Sequence, residues 1–326
     1  MNASVRCLTF FLTALTFVSC IRGNREKVRE PLVFSPPPIP ILVTSQEEAA
    51  RFRVLHYWDT FPFDDSLCIR QEGFADKAYS TYANILQQAG SAVARQGLER
   101  MMDRAATSAE EPSVRKQILL KFYGLSEHFY YHPNSPYRND DLFMTVLEKM
   151  IASPLLDTLE KERHIYLMRL ARKNRVGMPA EDFSFVSAVR NFPNTDNPSS
   201  LRTLYQIRSD YVLILFINLG CTSCRESIDQ IKSSEILSEM VKKKRLTILT
   251  VYPDKELEGW QTVLPELPPD WTHAYDPTGL IRDSSIYDLK AIPSLYLLDE
   301  SKRVLVKDAL SVRHVEEVIR QKAHFL

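Results

Sequence analysis

The sequence predicts an all-α domain over residues 45–175 followed by an α/β domain over 176–326. Three observations carry this expectation. Apolar residues recur at helical spacing through the first part, with no convincing strand among them. The period switches near Asn174, at KNRVGMPAEDFSF, where Gly177 and Pro179 close the helical pattern. Beyond it, apolar runs alternate with amphipathic stretches, and one run delivers Cys221 and Cys224, two residues apart, to the start of a helix-like pattern.

Composition sets the limits. The 326 residues suit about two domains of ~150 residues each. Hydrophobic and charged contents of 44% and 25% are those of a globular protein. Lys plus Arg and Asp plus Glu are both 41, so no basic excess points to a nucleic-acid partner. Nine glycines and the lack of a GxGxxG or GxxxxGK[ST] string argue against a phosphate-cradling loop. No cofactor is expected.

The chain opens with MNASVRCLTFFLTALTFVSC, in which Arg6 precedes an apolar run and small residues lead to Cys20. The apolar core of ~12 residues is too short to span a bilayer and reads as a secretory signal. The ending FVSC resembles the lipobox of bacterial lipoproteins. That resemblance implies cleavage after residue 19, lipid on Cys20, and a membrane-anchored protein facing the periplasm; a plain cleaved signal is the alternative. Residues 20–44 hold Pro31, Pro36, Pro37, Pro38 and Pro40, which favour an extended tether over helix.

Ser45 and Glu48 have capping-box spacing, and Phe52, Leu55, Tyr57 and Trp58 begin an apolar face. Further faces follow at Phe74 to Ala89, Ile118 to Phe129, and Leu142 to Met150. Ser108 and Glu111 form a second capping-box spacing, with Pro112 tolerated in the first turn. A last helix is expected from about Pro154 to Lys173, giving five or six in all. Two strings stand out, HYWDTFPFDD at 56–65 and HPNSPYRND at 132–140. Each could be a binding surface, but aromatic and Asp-rich segments at helix ends more often plug and cap a core. The region resembles a domain of unknown function that precedes thioredoxin-like domains in bacterial lipoproteins, which implies no catalytic residues.

In the second part, DFSFVSAV reads as a short strand and YVLILFIN at 211–218 as a strand buried on both faces. A helix from about Thr222 to Lys242, a strand at 245–252 and a short helix around 256–264 come next. Then follow a strand at 271–276, a helical stretch from Gly279 to Asp288, a hairpin of 294–299 with 303–308, and a closing helix from Val312 to about Ala323. A βαβ unit followed by ββα is the order of a thioredoxin fold.

Cys221 and Cys224 suit reversible dithiol–disulfide chemistry. The thiolate is the nucleophile, and the positive end of a helix dipole stabilises it. Two intervening residues keep the second sulfur within reach, so a mixed disulfide can be resolved internally. Cys221, nearer the strand exit, is the expected attacking thiol and Cys224 the resolving one. A zinc ribbon would need a second such pair or a His pair, and haem attachment a His where Arg225 stands. A static structural disulfide stays open, since an exported protein oxidises. Cys68, alone in the other domain, is expected to be a free buried thiol.

With CTSC and AIPSLYLLD on the page, residues 176–326 are similar to the TlpA branch of the thioredoxin superfamily, membrane-tethered thiol–disulfide oxidoreductases. The resemblance implies that Pro293 is a cis-proline opposite the cysteines and that Ile292 and Pro293 help hold a substrate peptide. It also implies an extra strand–helix insertion before Pro293, and protein thiols and disulfides of the cell envelope as partners. Three positions depart from the thioredoxin pattern. Gly220 replaces the Trp before the first cysteine, Leu215 replaces a buried acid, and Ile292 replaces the common Thr. Losing the acid slows proton transfer at the resolving thiol. The alternative function is therefore a non-catalytic binding or scaffold lipoprotein with a degenerate thioredoxin-like domain. A peroxiredoxin is disfavoured, because neither Asn218 nor Cys221 is the Thr that family places three residues before its cysteine.

Overall fold

The structure, a computed structural model, describes residues 30–187, 201–254 and 257–323. The expected signal, Cys20 and the end of the DFSFVSAV strand lie outside the described residues.

Residues 46–172 build their regular structure from helices. α1 (Gln46–His56) begins at Ser45, whose hydroxyl accepts the Glu48 N–H at 3.1 Å. It is followed by α2 (Leu67–Arg70), α3 (Phe74–Gln87), α4 (Ser91–Thr107), α5 (Pro112–Tyr130), α6 (Asp140–Ala152) and α7 (Thr158–Arg172). Two starts differ from the expected ones. Ser108 closes α4 instead of capping α5; Glu111 is the N-cap, and Pro112 takes the first turn, where its missing N–H costs nothing. The last helix starts at Thr158 because Asp157 and Glu160 form a reciprocal capping box, at 2.8 and 2.9 Å, which outweighs the permissive Pro154.

HYWDTFPFDD turns out to be core. Trp58, Phe61 and Phe63 are buried, and the Trp58 ring meets Phe61 and Phe122 edge-on at 5.0 and 5.3 Å. Asp59 points outward to His56 Nδ1 at 2.7 Å. The described end of the proline-rich segment is docked on this core. Phe34 stacks on Trp58 at 5.8 Å, and Gln71 exchanges two hydrogen bonds with the Leu32 backbone at 2.7 and 3.1 Å.

The second part is one seven-stranded sheet in the order β2-β1-β5-β4-β3-β6-β7. Its strands are β1 (Ser184–Ser187), β2 (Leu201–Thr203), β3 (Tyr211–Phe216), β4 (Leu246–Tyr252), β5 (Thr272–Tyr275), β6 (Ser294–Asp299) and β7 (Val304–Ala309). β3 runs parallel to β4 and antiparallel to β6. All six of its residues are buried, as a continuous apolar run predicts for a central strand. Its alternation divides the core: Leu213 and Leu215 face one layer, and Val212, Ile214 and Phe216 the other.

The expected helix over 222–242 is two helices, α8 (Thr222–Ser233) and α9 (Glu235–Lys242). Ser234 ends the first and caps the second, accepting the Leu237 N–H at 3.3 Å, because a short hydroxyl competes for backbone donors. The interval before Pro293 holds α10 (Leu257–Val263), β5 and α11 (Leu280–Asp283), with β5 added in parallel beside β4. Helix covers only one turn of the expected 279–288 stretch, and β2, a three-residue edge strand, has no counterpart in the sequence reading. α12 (Val312–Ala323) packs Val315 and Ile319 into the Leu213 layer.

Candidate active site

β3 and the sequence after it place the cysteines. The strand ends at Phe216, and the chain turns through Gly220 at φ +66° before α8. That left-handed backbone strains any side chain, which accounts for glycine where thioredoxins carry Trp. Cys221 is the N-cap of α8, and its sulfur accepts the Cys224 N–H at 3.1 Å. The two cysteines are disulfide-bonded, with Cα atoms 5.2 Å apart. Cys221 is half-buried and Cys224 is buried at 3% exposure, so Cys221 is the more exposed of the two. Arg225 is exposed beside them.

Antiparallel pairing of β3 with β6 matches Phe216 to Ser294, which brings the start of β6 to the cysteine end of the sheet. The Ile292–Pro293 bond just before it is cis. The Ile292 carbonyl oxygen lies 4.0 Å from Cys221 Sγ. Cys221, Cys224, Ile292 and Pro293, predicted from distant parts of the chain, thus form one site.

A cavity of about 330 Å³ opens on the other side of the pair, walled by Ile217, Gly220, Ile228 and Leu267, with Asn218, Asp229 and Glu266 also lining it. Leu215 is fully buried in the layer that holds Cys224, Leu295 and Leu297. The sheet side of Cys224 is therefore apolar. Cys68 is free and buried, and burial, with Asp65 and Asp64 nearby, pushes its thiol up to about 12.

Sequence reading missed the charged groups behind Pro293. Ser294 Oγ donates to Asp308 Oδ1 at 2.6 Å, and Lys290 lies 2.8 Å from Asp288 Oδ2, 3.4 Å from Asp140 Oδ1 and 3.5 Å from Asp308 Oδ2. Burial lowers the Lys290 ammonium's proton affinity, but these three carboxylates raise it further than burial lowers it. Asp140 is half-buried, which raises it, but Lys290 and Lys307 outweigh that and hold it below its ordinary value. Burial wins at Asp308 and raises it, despite Lys290 and Arg138. The one signal in the sequence was the charged pair Asp288 and Lys290 in the short approach to Pro293.

Fold and site together define a thioredoxin-like protein with a CxxC pair, carrying a helical domain in front. Residues 16–174 match the family model described as a domain of unknown function, DUF5106. A thioredoxin-like protein from Bacteroides caccae is 36% identical over 89% of this chain and 99% of its own, with a TM-score of 0.80. The chain belongs to that family of thioredoxin-like proteins with an N-terminal helical domain. The C-terminal domain of an uncharacterized Bacteroides fragilis protein is also 36% identical, over 45% of this chain and 98% of its own, with a TM-score of 0.41. A conserved Bacteroides fragilis protein of unknown function is 29% identical over 44% and 98%, with a TM-score of 0.40. No curated protein matches.

Proposed function

We propose that this chain is an exported, lipid-anchored thiol–disulfide oxidoreductase that exchanges disulfides with protein thiols of the cell envelope. One observation carries the reading: a half-buried Cys221 at the N-terminus of α8, bonded to a buried Cys224. In the oxidised form a partner's thiolate attacks Cys221 Sγ. The partner–Cys221 bond forms, the Cys221–Cys224 bond breaks, and Cys224 leaves as a thiolate that takes a proton. A second partner thiolate then attacks its own mixed-disulfide sulfur, leaving the partner oxidised by two electrons and the pair reduced. Run backwards, the same steps reduce a partner disulfide, with Cys221 attacking and Cys224 resolving. The chain's own contribution is the α8 N-terminus, which stabilises the Cys221 thiolate, and the Ile292–Pro293 loop beside it.

The buried Leu215 supports a second reading, a binding or scaffold lipoprotein whose pair is a static bridge. The reduction potential of the Cys221–Cys224 pair, measured together with insulin disulfide reduction, separates them. Turnover with a potential above about −300 mV is expected; a lower potential without turnover overturns the oxidoreductase. Cys224→Ser is expected to accumulate mixed disulfides through Cys221, and Cys221→Ser to lose them. Anchoring rests on the FVSC ending at Cys20, and the described residues contain no helix long and apolar enough to cross a membrane. Metabolic labelling with a radioactive fatty acid tests it; label that persists in Cys20→Ala overturns it.

A further inference from the structure

The Pro293 loop is held from behind by the helical domain, through a buried and charge-balanced cluster. The helical domain supplies Arg138, Asp140 and Tyr131; the α/β domain supplies Asp288, Lys290, Lys307 and Asp308. Asp140, the first residue of α6, reaches Lys307 at 2.6 Å and Lys290 at 3.4 Å. Tyr131 donates to Asp288 at 3.0 Å, and its ring lies 4.6 Å from the Lys290 ammonium. Arg138 pairs with the Asp308 carboxylate at 3.4 Å and also donates to its carbonyl. Three bases meet three acids, and the side chains of Lys290, Asp288 and Asp308 are at most 5% exposed.

This cluster ends at the active site. Asp308 sits in β7 at φ +47°, a backbone conformation that costs energy for a residue with a Cβ. From there it accepts the Ser294 hydroxyl at 2.6 Å, and Ser294 follows Pro293 directly. Lys290 grips the same loop from its other side, two residues before Ile292, whose carbonyl faces Cys221. Apolar packing would join two domains at lower desolvation cost than buried ions do. Ion pairs, however, are directional, and here Asp140, Arg138, Lys290 and Asp288 meet at the segment from 288 to 294 or at its Asp308 anchor, while Lys307 holds Asp140 and the Ala171 carbonyl from behind.

We propose that the helical domain is a working part of the active site: Asp140 and Arg138, through Lys290, Lys307 and Asp308, hold the Ile292–Pro293 loop where a protein substrate docks against Cys221. Asp140 and Lys290 are then positioning residues. The inference rests on the oxidoreductase reading above and gives the helical domain a task within it.

A split between large and small substrates tests it. A protein disulfide must dock on the Pro293 loop, whereas dithiothreitol reaches Cys221 without it. In the full chain, Asp140→Asn and Lys290→Met are expected to lower kcat/KM for insulin between ten- and a hundredfold, chiefly through KM. The rate at which dithiothreitol reduces the Cys221–Cys224 disulfide is expected to stay within about twofold of the parent chain, since that reaction bypasses the displaced loop. Asp140→Glu should recover part of the loss, and Lys149→Met, which breaks the exposed pair from the same helix to Asp103 of α4, should leave both rates unchanged. Equal losses in insulin reduction and in reaction with dithiothreitol, or no loss with insulin, overturn the proposal. Should Asp140→Asn fail to fold, Ser294→Ala removes only the Asp308 link and must show the same split. A parent chain that reduces no protein disulfide overturns the oxidoreductase reading and this one with it; parent turnover without the split overturns this one alone.

Discussion

Asp276 staples the turn that leads from β5 into the Pro293 approach, and its removal has a size the structure allows to be worked out. Its side chain is fully buried. Oδ1 accepts the Thr278 N–H at 2.9 Å, the Thr278 hydroxyl at 2.6 Å and the Gly279 N–H at 2.9 Å, and Oδ2 accepts the Ile281 N–H at 2.8 Å. Hydrogen bonds to a charged group contribute about 1.5–3 kcal/mol each, and a buried donor left without a partner adds its desolvation cost. The four share one carboxylate and are not additive, so Asp276→Ala is expected to cost about 3–5 kcal/mol. With a slope of about 2–3 kcal/mol/M, the urea midpoint falls by roughly 1–2.5 M. Asp276→Asn keeps the Oδ1 acceptor and turns an amide donor towards the Ile281 N–H; about 1–2 kcal/mol is expected. Urea unfolding followed by circular dichroism checks both. An alanine variant that loses less than about 1 kcal/mol, or an asparagine variant that loses as much as alanine, refutes the staple.

Three further outcomes follow from the packing and the buried titratable groups. Gly97 of α4 lies against α1 and α3, where an added Cβ would come within 2.6 Å of Val54 Cγ1 and clash with Tyr82 Oη, so Gly97→Ala should cost about 1–3 kcal/mol by urea titration despite alanine's better helix propensity. His273, held between the Thr250 hydroxyl at 2.7 Å and the Pro268 carbonyl at 2.8 Å, is kept below its ordinary value of 6.5 mainly by burial, and burial lowers His164 likewise. In the window just below that value the unfolded chain binds more protons, so stability should fall as pH drops from 6.5 and level off once the folded histidines also protonate; in a His164→Gln, His273→Gln variant the slope of thermal unfolding against pH should flatten. After reduction, iodoacetamide at pH 8 should label Cys221 and leave Cys68 untouched until denaturant is added, as peptide mass mapping would show, because burial holds the Cys68 thiol at about 12.

Much of this architecture was legible because its signals are local. β3 announced itself by an unbroken apolar run, and that run is buried on both faces. The capping spacing at Ser45 places the start of α1. Spacing fails where two signals compete. Ser108 and Glu111 satisfy a pattern, but the chain needs Ser108 to finish α4, and Pro112 starts α5 without help. Ser234 lies inside a smooth amphipathic period and still splits a helix, since a hydroxyl's choice of partner is made in three dimensions. HPNSPYRND looked like a turn with caps. Its Asn139 does cap α6, at 3.0 Å to Leu142, but Arg138 and Asp140 reach across to residues more than a hundred positions away. No periodicity encodes such a contact. Cys221 and Pro293 could be paired only through resemblance to a family, and the β3–β6 register is the physical reason they meet.

Two of the three departures from the thioredoxin pattern, Gly220 and Leu215, have different physical standing. Gly220 is a backbone requirement: at φ +66° a tryptophan would be strained, so its absence follows from how the chain enters α8. Leu215 is a packing choice. It points to the same side of β3 as Leu213 and joins Cys224, Ile228, Leu295 and Leu297 in one apolar layer. An unpaired carboxylate there would be buried at a cost of several kcal/mol, or would hold its proton. Leu215 therefore carries no proton beneath Cys224, and the sheet side of that residue is apolar. Its other side borders the cavity lined by Asn218, Asp229 and Glu266. The polar groups near Cys224 therefore lie along that cavity and not on the sheet side, where Leu215, Leu295 and Leu297 pack.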